Sequence, residues 1–428
     1  MLSPRNLLPL LAIASVSFFS FLFYTTNVKE SWRGLPQKVG LGETISEPSS
    51  SSSSAPSSGV STPGANNAAS GEGSSPSEPE PSRPPRPKQT WSSVPKFEPG
   101  VGMPADYNFS TVLVIPRTSN EDVGWIDEFL PEYQTAIYVA DDSSAPLHPP
   151  KNKGHEVMIY LTWVIDNYAD LPDIAVFMHA HRYAWHNADM LDLDSVQMVK
   201  RLNPNRVLRE GYMNMLKVRH PGEVEDDIQK HEQKLLAKAW SEIFPLDPIP
   251  EVLAQPCCAQ FALSRDRIRS IPLQRFVAYR DWLLRTPLSD ALSGRIWEYI
   301  WQYVFTGRNV YCPIQHVCYC DGFGVCFGDE EKYKDWTSLR FRQIGYEYEL
   351  RDWHDKERLV EQSMEDGNFD ELADIDVPEV GRDVWLEEEI ESIKQDLKQR
   401  RDAAIERGND PRIRALDSGR EWKEGDWF

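Results

Sequence analysis

Four groups of residues have the types and spacing to do chemistry. Asp141 and Asp142 follow directly on the apolar run AIYVA at 136–140. Open α/β sheets bind ligands just beyond the carboxyl ends of their strands. A carboxylate pair there suits the ribose of a nucleotide, or a divalent cation (Mn2+ or Mg2+) bridging phosphates. The competing reading is a solvated turn, because DDSSAP has turn composition. The second group is FMHAHRYAWH at 177–186, which gathers His179, His181 and His186 around Arg182 at the end of another apolar run. Imidazoles so spaced suit acid–base work near neutral pH, with His181 as the catalytic candidate. They equally suit a metal, with Asp142, His179 and His181 as candidate ligands. Together with Arg182 they could instead clasp a phosphate or a sugar.

Glu298 is the third candidate. It is a single carboxylate among the aromatics of WEYIW at 297–301. Partial burial would raise its pKa and fit it to deprotonate a hydroxyl, while the rings stack on a sugar face. The bland alternative is a core helix with Glu298 at its rim, salt-bridged to Arg295. The fourth group is the cysteines: Cys257 and Cys258 are adjacent, and Cys312, Cys318, Cys320 and Cys326 fall close together. Cys318-x-Cys320 near His316 imitates a zinc site, but the spacing is not that of a finger or knuckle. Disulfides are the preferred reading, with the 15 possible pairings left open. No phosphate-binding Gly-x-x-x-x-Gly-Lys loop, Gly-x-Ser-x-Gly elbow or His-Glu-x-x-His helix is present.

The elements that must position these groups alternate in type. Buried strands are expected at 111–115 (TVLVI), 136–140 and 174–178 (IAVFM), and a later one at 260–263. Helical spacing appears at 121–130, 155–168, 225–244 and 292–305. That alternation implies a Rossmann-like α/β domain, a mostly parallel sheet flanked by helices, over 110–328. The charged remainder, 329–428, carries Leu386, Ile390, Ile393 and Leu397 at helical spacing, in a helix that docks or stands alone.

The amino-terminal part reads differently. After a short segment 1–6, residues 7–24 (LLPLLAIASVSFFSFLFY) hold eighteen uncharged residues. This is the lower limit for a transmembrane signal-anchor. A cleaved signal peptide, leaving a secreted protein, is the alternative. Residues 25–109 form a Ser/Pro-rich stalk whose composition cannot bury enough apolar area to order itself. The sequon at Asn108 and the even number of cysteines favour a type II arrangement facing an oxidising lumen. A net charge of −20, from 46 basic and 66 acidic residues, argues against nucleic acid as a partner.

The runs IPRTSNEDVGWIDEFL, KGHEVMIYLTWVIDNYADLPDIAVFMHAHRYAWH, CCAQFALSRDRI and GRIWEYIWQYVFTG resemble the fungal proteins grouped as Domain of Unknown Function 3431. The resemblance spans roughly residues 111–328 and implies a membrane-anchored secretory protein. The pattern is also remotely similar to Golgi-type nucleotide-sugar glycosyltransferases. That similarity implies a glycosyltransferase-A-like fold, with Asp141 or Asp142 binding metal and nucleotide and Glu298 acting as base. It also implies a nucleotide sugar and a glycan acceptor as partners. A clear Asp-x-Asp motif is missing; Asp189, Asp192 and Asp194 fall in a polar stretch after the histidines. The expectation is therefore a lumenal glycosyltransferase-like protein in the Golgi or endoplasmic reticulum. A non-catalytic binding or scaffold protein and a His-centred metallohydrolase are the alternatives.

Overall fold

The structure is a computed structural model that describes residues 97–215, 230–256, 258–367 and 376–423. The candidate anchor at 7–24 and nearly all of the proposed stalk lie outside the described residues. Among the described residues, no helix is long and apolar enough to cross a membrane.

The chain runs from strand β1 (Thr111–Arg117) through helix α1 (Gly124–Phe129) to β2 (Gln134–Val139). Helix α2 (Glu156–Asn167) then leads to β3 (Ile174–Phe177). Both β2 and β3 pair with β1 in parallel. Side chains alternate across the strands with period two: Leu113 and Ile115 of β1 enter one core, Val114 the other. Helix α1 packs its Ile126 on the Leu113 face, and α2 packs on the Val114 face. The β1–β2 connection through α1 and the β2–β3 connection through α2 therefore cover opposite faces of the sheet. This makes the gap between the carboxyl ends of β1 and β3 the switch point of the sheet.

After β3 come α3 (Ser195–Arg201), α4 (Pro204–Glu210) and β4 (Tyr212–Asn214), then α5 (Lys230–Ile243) and β5 (Phe261–Ser264). The strand order is β2-β1-β3-β5-β4, and β5 runs antiparallel to both of its neighbours. The five-stranded sheet is thus mixed rather than mostly parallel. Strand direction was not legible because β5 is buried on both faces, and such a run looks the same in either sense. Short helices α6 (Arg265–Arg269) and α7 (Leu273–Arg285) follow. The helix expected over 292–305 divides into α8 (Asp290–Glu298) and α9 (Trp301–Thr306). At the break the Tyr299 and Ile300 N–H groups donate to the third residue back rather than the fourth.

The charged carboxyl-terminal part is not a solvated tail. After α10 (Gln315–Phe323), the long helices α11 (Glu330–Glu365) and α12 (Arg382–Gly408) pack against each other, followed by α13 (Pro411–Asp417). Tyr333, Trp336 and Leu339 of α11, with Ile393, Leu397 and Ala404 of α12, complete the core on the Leu113 face of the sheet. Trp336 Nε1 donates to the Leu397 carbonyl at 3.0 Å.

One buried carboxylate fastens this layer to the sheet domain. The Asp321 side chain on α10 is 4% exposed. It receives Arg206 at 2.8 Å, Arg209 at 2.7 Å and Arg420 at 3.0 Å, while Arg414 donates to its backbone carbonyl at 2.9 Å. Burial alone would raise this carboxyl's pKa; the three guanidiniums outweigh it and hold the group below the usual range. Removing the carboxylate leaves several buried cations without their counter-charge. Asp321→Asn is therefore expected to cost about 3–5 kcal/mol in urea unfolding. Because the folded pKa is lowered, Asp321's contribution is present above the ordinary carboxylate range. It should fade as pH falls below about 4, where the unfolded chain protonates first.

The cysteines are used unequally. Cys320 and Cys326 form a disulfide, and Cys258 is also disulfide-bonded. Cys312 and Cys318 are free thiols, which corrects the expectation of disulfides throughout. Two residues apart on a helix point about 200° from each other, so Cys318 cannot share the partner of Cys320. Cys257 lies outside the described residues. The group formed by Cys320, Cys326 and Asp417 has its sulfurs tied up in the disulfide and offers no thiolate to a metal.

Candidate active-site crevice

The loops leaving β1, β2 and β3 converge at the carboxyl edge of the sheet. The segment after β3 is held hard in place. Gln260, just ahead of β5, accepts the His179 N–H at 3.0 Å and donates to Asn187 Oδ1 at 2.9 Å. Asn187, fully buried, donates in turn to the Leu193 carbonyl at 2.9 Å and Ser195 Oγ at 3.0 Å. Asp194 takes both arms of Arg182 at 3.1 Å. The Arg182 guanidinium lies 3.9 Å over the Phe129 ring. The α11–α12 pair braces the same loop from outside, through Arg340 to Asp189 at 3.6 Å and Arg401 to Asp192. Asp192 and Leu193 have positive φ, a conformation these contacts must sustain.

This framework gathers His179 and His186. His179 Nδ1 meets His186 Nε2 at 2.8 Å. One nitrogen donates and the other accepts, so the two rings cannot both be cations. Burial, with the charges of His186, His181 and His155, holds His179 well below its usual pKa. Burial and His181 bring His186 down to about 4. The pair is neutral at pH 7. His179 Nε2 and His186 Nδ1 have no hydrogen-bond partner among the described residues. His181 stands at the rim, 61% exposed, with Nε2 3.5 Å from Glu121 Oε1. Glu121 is itself held by the Thr118 N–H at 2.6 Å and Oγ1 at 2.9 Å.

The remaining sequence candidates sit differently. Asp141 receives the Ser119 N–H at 2.7 Å and Oγ at 2.8 Å, tying the loops after β1 and β2 together. Asp142 receives the Ser144 N–H and Oγ in its own turn. These serine hydrogen bonds lower both carboxyls. Asp142, His179 and His181 are not gathered into a metal-ligand cluster. Arg182 is committed to Asp194 and Phe129, and so shapes the loop. Asn108 is exposed.

Glu298 is half-buried at the end of α8 and faces a residue that the sequence pattern did not single out. Glu156 begins α2, followed by eight consecutive buried residues. Its Oε1 is sealed from water and has no hydrogen-bond partner among the described residues. Burial first, then the charges of Glu298 and Asp290, push its carboxyl up to about 8. The chain reaches it through two residues of positive φ, Gly154 (φ 74°) and the strained His155 (φ 50°, ψ −126°). The His155 N–H donates to Asp290 Oδ1 at 3.0 Å. Gly294 of α8 makes this possible, since a Cβ there would sit 2.6 Å from His155 Cδ2. Backbone outliers of this kind cluster at functional sites. The legible signal was KGHE ahead of an otherwise apolar helix: a glutamate placed where nothing polar is needed for packing.

Residues 113–321 match the family model described as "Protein of unknown function (DUF3431)". The α/β domain belongs to that family. The match contains Glu156, His179, His181, His186 and Glu298 and ends at Asp321, so helices α11–α13, with Arg340 and Arg401, lie beyond it. No curated protein matches the chain, and no solved structure does.

Glu156 supplies a measurable consequence. Its folded pKa is raised, so its favourable protonated form is fully present below about 4.5. That contribution is lost as pH rises toward about 8. Glu156→Gln never ionises. Relative to wild type, the variant should therefore gain urea stability between pH 4.5 and 8 and level off above. A pH-independent difference would place the Glu156 carboxyl in water.

Proposed function

We propose that the crevice is the active site of a glycosyltransferase-like enzyme that joins a sugar from an activated donor to a hydroxyl of a glycan. One observation carries this reading: two carboxyls, Glu156 and Glu298, lie close enough for the charge of Glu298 to raise Glu156, whose Oε1 is sealed from water. Glu156 keeps its proton at neutral pH and can act as an acid, and a second carboxyl beside it offers the base that such chemistry pairs with it. Glu298 is the base that takes the proton from the acceptor hydroxyl as that hydroxyl's oxygen attacks the donor's anomeric carbon, and the bond from that carbon to the nucleoside diphosphate breaks, releasing the diphosphate. The neutral His179–His186 pair binds sugar or phosphate oxygens without carrying charge of its own. His181 at the rim, beside Glu121, is placed to relay a proton to solvent. The glycosyltransferase-A-like reading of the fold rests on the parallel β2-β1-β3 unit and its switch point.

A divalent cation has poor support in the residues present. Both oxygens of Asp141 are already engaged by Ser119 of the loop after β1, and one of Asp142 by Ser144 in its own turn. No step is therefore routed through a metal. The His-centred metallohydrolase reading weakens for the same reason, because Asp142, His179 and His181 do not converge.

The test is release of nucleoside diphosphate from a panel of nucleotide sugars by the purified protein, with and without glycan acceptors. Wild type should turn over at least one donor, and Glu298→Gln should lower kcat by about 10²–10⁴-fold. No turnover across the panel, or an unaffected Glu298→Gln, would favour a non-catalytic binding protein.

The proposed setting is the secretory lumen, reached through the anchor at 7–24. Exposed Asn108 reads out that placement. Endoglycosidase should shift the mobility of the full chain expressed in a eukaryotic cell, and Asn108→Gln should abolish the shift. An unshifted wild type would put the domain on the cytosolic side.

A further inference from the structure

The loop that carries the histidines also carries two large aromatic side chains held out in solvent. Tyr183 is 60% exposed and Trp185 is 46% exposed. Neither is needed by either core, and exposing apolar rings on a loop costs solvation free energy. The loop is not slack. Tyr183 forms a backbone bridge with Asp194, and Asn187 and the Arg182–Asp194 pair hold both ends. Exposed rings on a backbone fixed by buried polar contacts form a pre-organised surface, with little ordering cost left to a ligand.

Ring contacts run inward from this surface. The Trp185 ring stands edge-on to His186 at 5.4 Å, and His186 stands edge-on to His179 at 4.6 Å. The Arg182 guanidinium lies 4.9 Å over the Tyr183 ring and steadies it from the protein side. A continuous aromatic path thus leads from the rim to two imidazole nitrogens that have no hydrogen-bond partner among the described residues. A ligand that fits needs an apolar face to lie on the rings and hydroxyls at its edge for His179 Nε2, His186 Nδ1 and the rim carboxylate Glu121. A pyranose ring has both: axial C–H groups on its face and equatorial hydroxyls around it. A planar nucleobase would stack too, but it carries no hydroxyls to meet His179 Nε2, His186 Nδ1 and Glu121. An apolar peptide side chain would leave them unmatched.

We propose that Tyr183 and Trp185 form a carbohydrate platform on which a pyranose ring of the glycan substrate stacks, with His179 and His186 binding its hydroxyls. This rests on the reading of the crevice as a glycan site and assigns its substrate-binding surface. It does not depend on catalysis.

The test uses the full chain carrying Glu298→Gln, so that binding is read without turnover. The probes are methyl α-mannoside, methyl β-glucoside and methyl β-galactoside, and the readouts are tryptophan fluorescence and saturation-transfer NMR. At least one glycoside should bind, with saturation strongest at the C–H protons of one ring face. Trp185→Ala should weaken binding about tenfold or more, Tyr183→Ala less, and Trp185→Phe should recover part of the loss, as ring stacking requires. Because both side chains lie in solvent, these variants should keep the wild-type circular dichroism. Binding unchanged in Trp185→Ala, or no binding of any of the three glycosides, would overturn the platform. Glycoside binding through Trp185 with no donor turnover by wild type would keep the platform and overturn the transferase. Turnover that ignores Trp185 and Tyr183 would do the reverse.

Discussion

Two buried amides hold the crevice in its shape. Gln260 approaches from the strand that runs against the rest, and Asn187 from the loop after β3; they hydrogen-bond to each other and, between them, to the backbone on either side. In a low-dielectric interior a half-satisfied amide is costly, so such a network favours a single arrangement. That arrangement sets His179 against His186, bridges Tyr183 to Asp194, and leaves Tyr183 and Trp185 outside. The antiparallel insertion of β5 is thus more than a topological detail. It delivers Gln260 to the carboxyl edge of β3, next to the switch point.

The helices beyond the family match serve the same end. Their charge content suggests a solvated tail, yet α11 and α12 each carry an apolar stripe that joins the core on the Leu113 face, beside α1, α3 and α10. Asp321 ties this layer down by drawing arginines from α4 and from the chain beyond α13 onto one buried carboxylate. Arg340 and Arg401 reach from the same helices to the histidine loop. The layer therefore closes the core and supports the crevice from behind.

Electrostatically the crevice is built on suppression of charge. Three imidazoles and several carboxyls lie close enough to sense one another, and burial keeps His179 and His186 neutral while it keeps Glu156 protonated. Groups poised this way respond to a bound polar ligand more than solvated ones do, because the ligand supplies the partner that water cannot. A Cβ at 294 would crowd the His155 ring at 2.6 Å and the Gly154 backbone at 3.2 Å, so Gly294 eases the close approach of α8 to the turn before Glu156.

The amino-acid sequence by itself determined the local facts. Apolar runs of the right length made β1, β2 and β3, and the helical stripe at Leu386, Ile390, Ile393 and Leu397 is buried as its spacing requires. The histidine cluster at a strand end was legible because residues 179–186 are adjacent in the chain. Only the tertiary structure decided which distant groups meet: Glu156 with Glu298, Gln260 with Asn187, Asp321 with Arg420. It also decided that Asp141 and Asp142 are engaged by serines and that Arg182 faces Asp194. Periodicity reports which face of an element is buried. Pairing between residues so far apart in the chain depends on strand order and direction, and buried four-residue strands carry no mark of either.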